Sequence, residues 1–189
     1  KEDLIRDFRT FESLENVKEI INALPYIASI LNPERQIVYS NDRLPELLKA
    51  NSLEEILGYR VGEAINCIHT GGSGNGCGTS ESCKHCGAVN TILKCQETNL
   101  PVKDECMIAS EVNGQTINFD MLVMATPFFI NEKQYTILSL NDISSEKRRK
   151  ALERIFFHDV VNTAGTLKGI IEIMKDIDDE KVLRKFINL

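Results

Sequence analysis

Residues 102–140 read VKDECMIASEVNGQTINFDMLVMATPFFINEKQYTILSL, three strand-like runs in a row. Val102–Val112, Thr116–Phe129 and Gln134–Leu140 alternate or mass β-branched and aromatic residues. That texture suits a pleated, half-buried surface and not a helix. Asn113-Gly114 separates the first two runs and Asn131-Glu132 the second two, at the two-residue spacing of tight hairpins. The segment predicts a three-stranded antiparallel meander. With an apolar core of Phe119–Ile130 and Pro127 inside it, it is also too short to cross a bilayer.

Upstream the pattern changes twice. Tyr26–Leu31 and Gln36–Ser40 read as two more strands joined by the turn Asn32-Pro33-Glu34-Arg35. Asn41 or Asp42 then caps a short helix, Arg43 to Lys49, and Ser52 with Glu55 predicts a capping box for another that ends at Gly58. Residues 71–76 are rich in Gly, Ser and Asn, and helix resumes from Cys83 to about Thr98. In the first 24 residues Leu4, Phe8, Phe11, Leu14, Val17, Ile21 and Leu24 recur every three or four positions, which predicts one amphipathic helix. From Ser144 helix is expected to about Lys175, with a break at Asp176–Asp179 and a further helix after it. Two strands, a helical middle and three strands make an α+β fold: a five-stranded antiparallel sheet with helices on one face. Residues 1–24, 25–144 and 145–189 are then a flanking helix, a domain, and a long helix that opens a second one.

Composition narrows the function. The 189 residues carry 22 Lys and Arg against 28 Asp and Glu, a net charge of −6, which argues against a nucleic-acid-binding face. The first residues are charged and do not form a signal peptide, so a soluble, cytoplasmic protein is expected, with Lys1 not a natural start. Six cysteines in such a chain point to metal or redox chemistry before disulfides.

The strand order resembles the PAS family of sensor domains. Ile37-Val38-Tyr39-Ser40-Asn41 resembles the second PAS strand with its closing asparagine, and Asn141-Asp142-Ile143-Ser144 the signature where a PAS sheet passes into its signalling helix. The resemblance covers roughly Asn22 to Ser144. Further on, Phe157-His158-Asp159-Val160-Val161-Asn162-Thr163 is similar to the H-box of dimeric histidine kinases. It implies that His158 accepts the ATP γ-phosphate while Asp159 orients the ring and takes its proton. Asn162, one turn on, shares the face of His158 and would place a water against a phosphoaspartate on a response regulator. Leu152, Ile155, Phe156, Leu167, Ile170, Ile171 and Met174 supply a stripe for pairing with a second copy, so a homodimer is expected. The Gly-rich run lacks the lysine and Ser/Thr of a phosphate loop. ATP and Mg are therefore expected only on a domain beyond Leu189, and this stretch alone should not phosphorylate itself.

Cys67, Cys77, Cys83 and Cys86 fall within twenty residues around a Cys-x2-Cys core. Their spacing suits a four-thiolate metal centre, tetrahedral zinc or an iron–sulfur cluster. The expectation leans narrowly to iron–sulfur, because a sensor needs a centre whose state changes and zinc has no redox chemistry. Cys83 and Cys86 are expected to share a helix start, with His69 and His85 as alternative ligands and Cys95 and Cys106 buried as small hydrophobes. The whole reads as a redox- or oxygen-sensing piece of a two-component kinase. The alternatives are a small-molecule sensor with a structural zinc knot and a pocket lined by Ile30, Leu47, Ile92, Phe119, Leu122 and Leu138, or a phosphotransfer or scaffold protein without its own kinase domain.

Overall fold

A computed structural model describes residues 2–71, 76–112 and 114–175 of the chain. Contacts divide it between Ser144 and Ser145 into two units. The first is built on strands β1 (Ile27–Leu31), β2 (Ile37–Ser40), β3 (Val102–Val112), β4 (Gln115–Ile130) and β5 (Lys133–Asp142). They form one five-stranded antiparallel sheet, as the strand-like runs predicted, and its order is β2-β1-β5-β4-β3. The turn residues Asn131 and Glu132 both have positive φ, 48° and 63°, the hand that matches strand twist. Asn113 of the other hairpin lies outside the described residues, as do residues 176–189, where the second break and helix were expected.

Alternation along the strands gives the sheet two buried faces. Leu31, Ile37, Cys106, Ile108, Met121, Val123, Ala125, Leu138 and Leu140 look toward α3 (Arg43–Leu48), α4 (Val61–Ala64) and α5 (Gly87–Thr98). Ala28, Ile30, Val38, Tyr39 and Tyr135 look the other way, onto Phe11 and Ile21. The flanking N-terminal segment is thus two helices and not one, α1 (Glu2–Glu12) and α2 (Glu15–Asn22). Helicity is interrupted where the Ser13 hydroxyl turns back to the Thr10 carbonyl at 2.8 Å and Leu14 adopts φ −92°, ψ 81°. A hydroxyl that bonds its own backbone competes with the helix ladder.

Three other local expectations give way to neighbours. Ser52 starts only a 3-10 turn, Leu53–Glu55, with no side-chain cap. Glu55 instead accepts from the backbone and side-chain amides of Asn51. Helix α5 begins at Gly87 and not Cys83, after a 3-10 turn over Glu81–His85. Asn41, read as a possible cap, is buried and ties β1 to the helices: it accepts from the Ala28 amide and donates to the Ile21 and Tyr26 carbonyls.

Helix α1 is held by a buried polar triad. Asp7, 3% exposed, accepts from the Lys133 ammonium at 2.6 and 2.9 Å and from the Tyr135 hydroxyl at 2.8 Å. Burial opposes the Lys133 charge, but the hydrogen bond and charge of Asp7 outweigh it and raise Lys133 above its ordinary value. Burial, then the bond to Asp7, raise Tyr135 as well. Both groups are raised on folding, so their contribution is complete below their ordinary values and fades as pH climbs past 10.0 and 10.5.

In the second unit, α6 (Ser144–Lys175) is one 32-residue helix with no buried residue.

Replacing Asp7 by Ala leaves a buried hydroxyl and an ammonium without their acceptor, and should lower stability by about 2 kcal/mol at neutral pH. Urea unfolding as a function of pH checks this: the gap between wild type and variant should narrow above pH 10.

Candidate functional site

Cys67, Cys77, Cys83 and Cys86 all line one cavity of about 420 Å3 in the first unit, between β3, the α4 segment and the start of α5. Edge strand β3 is its wall. Asn66 to Ile68 run along that edge as an added half-strand, with the Ile68 amide on the Ala109 carbonyl, the Glu111 amide on the Asn66 carbonyl, and Cys67 opposite Ser110. Such an edge has free backbone groups that recruit another segment. Thr70 closes the turn beyond Cys67 with its amide and hydroxyl on the Cys67 carbonyl.

Cys77 is placed by one carboxylate. Glu63 accepts from the Arg60 amide at 2.8 Å, starting α4, and from the Cys77 amide at 2.9 Å. Arg60 in turn donates to the Cys77 and Glu34 carbonyls. Glycine is obligatory at Gly76, whose φ is 80° and where a Cβ would overlap the Glu63 carboxylate. Cys83 lies in the Glu81–His85 turn and Cys86 follows it with φ −75°, ψ 116°, so they flank a bend and do not share a helix face. Gly87 lets α5 start against β3: a Cβ there would stand 2.8 Å from the Glu105 carbonyl and from the Cys106 Cβ.

The backbone is arranged around the sulfurs. Burial pushes the Cys77 thiol up to about 11, against the Gly62 amide bonded to it. Burial also raises Cys67, opposed by the His69 amide. At Cys83 burial acts upward too, yet the Ser80 hydroxyl, 3.1 Å away, and the amides of Gly78, Ser80 and Thr79 outweigh it and bring the thiol below its ordinary value. Hydrogen bonds to a thiolate favour the charged form. His69 and His85 line the same cavity. Cys95 and Cys106 are buried in the core, as expected of small hydrophobes, although Cys106 also reaches the cavity wall.

All six cysteines are free thiols. The donor chemistry of the four that line the cavity suits a soft metal. Among the described residues, however, no group of three His, Cys, Asp or Glu stands close enough to hold a metal ion. Arg35, Arg60, Glu63 and Ser80 are the site residues that sequence reading missed. Arg35 sat in what read as a plain turn, and Glu63 follows Arg60 at a spacing that marks a helix start only once α4 is seen. Of the apolar residues expected to line a pocket, only Ile92 does so. Leu138 is core, Ile30 and Leu122 alternate onto the opposite face, and Leu47 and Phe119 line a separate shallow depression.

On α6 the His158 ring is exposed. Asp159 Oδ1 lies 3.3 Å from its Nδ1, and the Asn162 amide nitrogen lies 3.2 Å from both ring nitrogens. His158 and Asn162 meet on one face, as their four-residue spacing requires, and Asp159 reaches the ring from the adjoining position. At the sheet exit Asp142 accepts from the Ser144 amide and hydroxyl, the Asp120 amide donates to the Ser144 hydroxyl, and the Ile143 amide donates to Asp120. No described helix is long and apolar enough to cross a membrane.

No family model matches the chain, and no curated protein matches it. Solved structures do. An RNA-binding light-oxygen-voltage receptor superposes with TM-score 0.51 at 13% identity, over 80% of this chain and 39% of the receptor. A PAS domain from a two-component sensor histidine kinase gives 0.47 at 11%, covering 69% of this chain and 96% of that one. The PAS domain of nitrogen regulation protein NR(II) from Vibrio parahaemolyticus gives 0.46 at 14%, covering 67% and 96%. The fold is PAS-like.

Two results are expected. Gly62→Ala sets a methyl 2.6 Å from the Cys77 sulfur and should cost about 1–3 kcal/mol by forced displacement. The same change at Gly165, where a Cβ meets nothing within 4 Å, should leave thermal unfolding of the first unit unchanged. In a pH titration of thiolate absorbance, Cys83→Ser should remove a thiolate that forms below the ordinary cysteine range and Cys77→Ser one near pH 11.

Proposed function

We propose that this chain is the cytoplasmic sensor part of a two-component histidine kinase: a four-thiol centre in a PAS-like domain controls phosphorylation of His158. The observation that carries the reading is physical continuity. The thiol cavity is built on β3, β3 pairs along its length with β4, and Asp120 of β4 holds Ser144 where α6 begins. A change of charge or spacing at the sulfurs therefore loads the same ladder that fixes the root of the His158 helix.

At His158 the chemistry is phosphoryl transfer. With Asp159 accepting the Nδ1 proton, the lone pair rests on Nε2, which attacks the γ-phosphorus of ATP held by a domain of the full-length protein. A P–N bond forms, the P–O bond to ADP breaks, and the Nδ1 proton shifts to Asp159 as the ring becomes cationic. Asn162 would position water on a partner's phosphoaspartate, giving phosphatase activity toward a response regulator. The exposed stripe of Leu152, Ile155, Phe156, Leu167, Ile170 and Ile171 favours pairing with a second copy, because that much apolar helix surface is stable only when covered.

Cys67, Cys77, Cys83 and Cys86 would hold an iron–sulfur cluster, narrowly favoured over zinc because only the former changes redox state. Four free thiols on one cavity, with amides bonded to the sulfurs of Cys67, Cys77 and Cys83, support this. Binding has to draw the sulfurs closer, which is how metal binding and folding are ordinarily coupled.

Two measurements test the proposal. Protein purified without air should contain iron and sulfide and lose its visible absorbance in a Cys83→Ser variant. In the full-length protein, labelled ATP should give an acid-labile phosphate that His158→Gln removes. Label persisting in that variant would sink the phosphoacceptor role. A colourless, iron-free protein with one zinc per chain would move sensing to a ligand in the cavity, whose volume of about 420 Å3 is within the range of small-molecule sites.

A further inference from the structure

We infer that the cavity carries a binding site for a small organic acid: Arg35 and Arg60 take its carboxylate, and the apolar wall takes its body. Neither a metal nor a thiolate enters it, so the site stands or falls apart from the four-thiol centre. Its basis is the placement of two guanidiniums on one peptide. Arg60 donates through Nη1 to the Cys77 carbonyl at 3.0 Å and through Nε to the Glu34 carbonyl at 3.2 Å. The Arg35 guanidinium lies against the next residue, Gly78. A Cβ there would stand 2.3 Å from Arg35 Nη1 and 3.1 Å from its Cζ and Nη2, and Gly78 has φ 89°. Both arginines are half-buried and both line the cavity, Arg35 reaching it from the β1–β2 turn at φ 66°.

Two like charges brought to one peptide repel, and partial burial makes that costlier unless an anion stands opposite. Among the described residues neither arginine forms an ion pair. Glu63 favours Arg35 by its charge while it accepts from the Arg60 and Cys77 amides. Asp104 and Glu105 line the cavity from β3, where both are exposed to solvent, and Asp104 accepts from the Glu105 amide. His69 and His85 are exposed as well. Two guanidiniums against the one half-buried carboxylate leave a single positive charge at this end, which matches a monoanion better than a phosphate dianion. A guanidinium also presents a planar fork that grips a carboxylate through paired hydrogen bonds. Val61, Ile65, Ile92 and Ile108 line other parts of the cavity, whose volume of about 420 Å3 suits a small molecule with an apolar body.

The test is calorimetric titration of the whole chain with hexanoate, hexanol and inorganic phosphate, with chelator and reductant present. Wild type, R35Q and R35K are compared, and the unfolding midpoint of each is recorded. Hexanoate should bind wild type and raise its unfolding midpoint. Hexanol, the same body without the charge, should bind about 10–100-fold more weakly, and R35Q should lose hexanoate by a similar factor. R35K, which keeps the charge without the fork, should fall between. Hexanoate that does not bind wild type, or that binds no better than hexanol, overturns the inference. R35Q holding hexanoate as tightly as wild type overturns it too. Phosphate bound in preference to hexanoate, and lost in R35Q, gives the arginines to a phosphate and overturns the organic acid. Should R35Q fail to fold, R35K and the hexanol comparison decide: R35K equal to wild type overturns the role of Arg35. Hexanoate bound by protein free of iron and zinc supports the site whatever becomes of the four-thiol centre.

Discussion

The pairing of β3 with β4 is the constraint on which the rest depends. It is register-locked from Val102 opposite Ala125 to Val112 opposite Gln115. A slip by one residue would turn Cys106 and Ile108 out of the core and Met107 and Glu105 into it. The same strand gives its free edge to Asn66–Ile68, and so fixes Cys67. Its close contact with Gly87 sets where α5 can begin, and hence where Cys86 stands. Through Asp120, opposite Met107, the ladder also reaches the root of α6. One pairing thus places two of the four thiols and the exit to the His158 helix.

Charges of both signs meet around the cavity. The chain is acidic as a whole, and here Arg35 and Arg60 share the lining with Asp104 and Glu105, beside His69 and His85. Glu63 accepts from two backbone amides, which organises the loop, and its charge also favours the nearby Arg35 guanidinium. The amides around Cys83 favour anionic sulfur at that position, whereas burial raises the thiols of Cys67 and Cys77.

The two faces of the sheet are used differently. One carries the α3–α5 layer and the cavity; the other is closed by α1 and α2 through Phe11, Phe8, Tyr39, Phe128 and Tyr135, with Asp7 as the one buried acid among them. An aromatic cluster of this kind is tolerant of small shifts, whereas the Asp7–Lys133–Tyr135 bonds fix one angle of approach. β5 is the middle strand of the sheet, flanked by β1 and β4.

Much was legible in the residues alone. Alternation and turn chemistry specified five strands and the 3.6-residue stripe specified α6, because these are local consequences of which side chains can be buried together. That His158 and Asn162 share a face was legible for the same reason: a helix turns a fixed angle per residue, so spacing is geometry. That four cysteines belong together was legible from their density, but not how they meet. Where helices began near Ser13, Ser52 and Cys83 escaped local reading, since hydroxyl and carboxylate groups there found partners that sequence does not rank. Arg35, Glu63 and the β3 edge became part of the site only in three dimensions. The sequence by itself determined the elements and the helical site, through periodicity. Only the tertiary structure decided the cavity, because long-range contacts between residues as far apart as Arg35, Cys67 and Cys106 are set by packing and not by spacing.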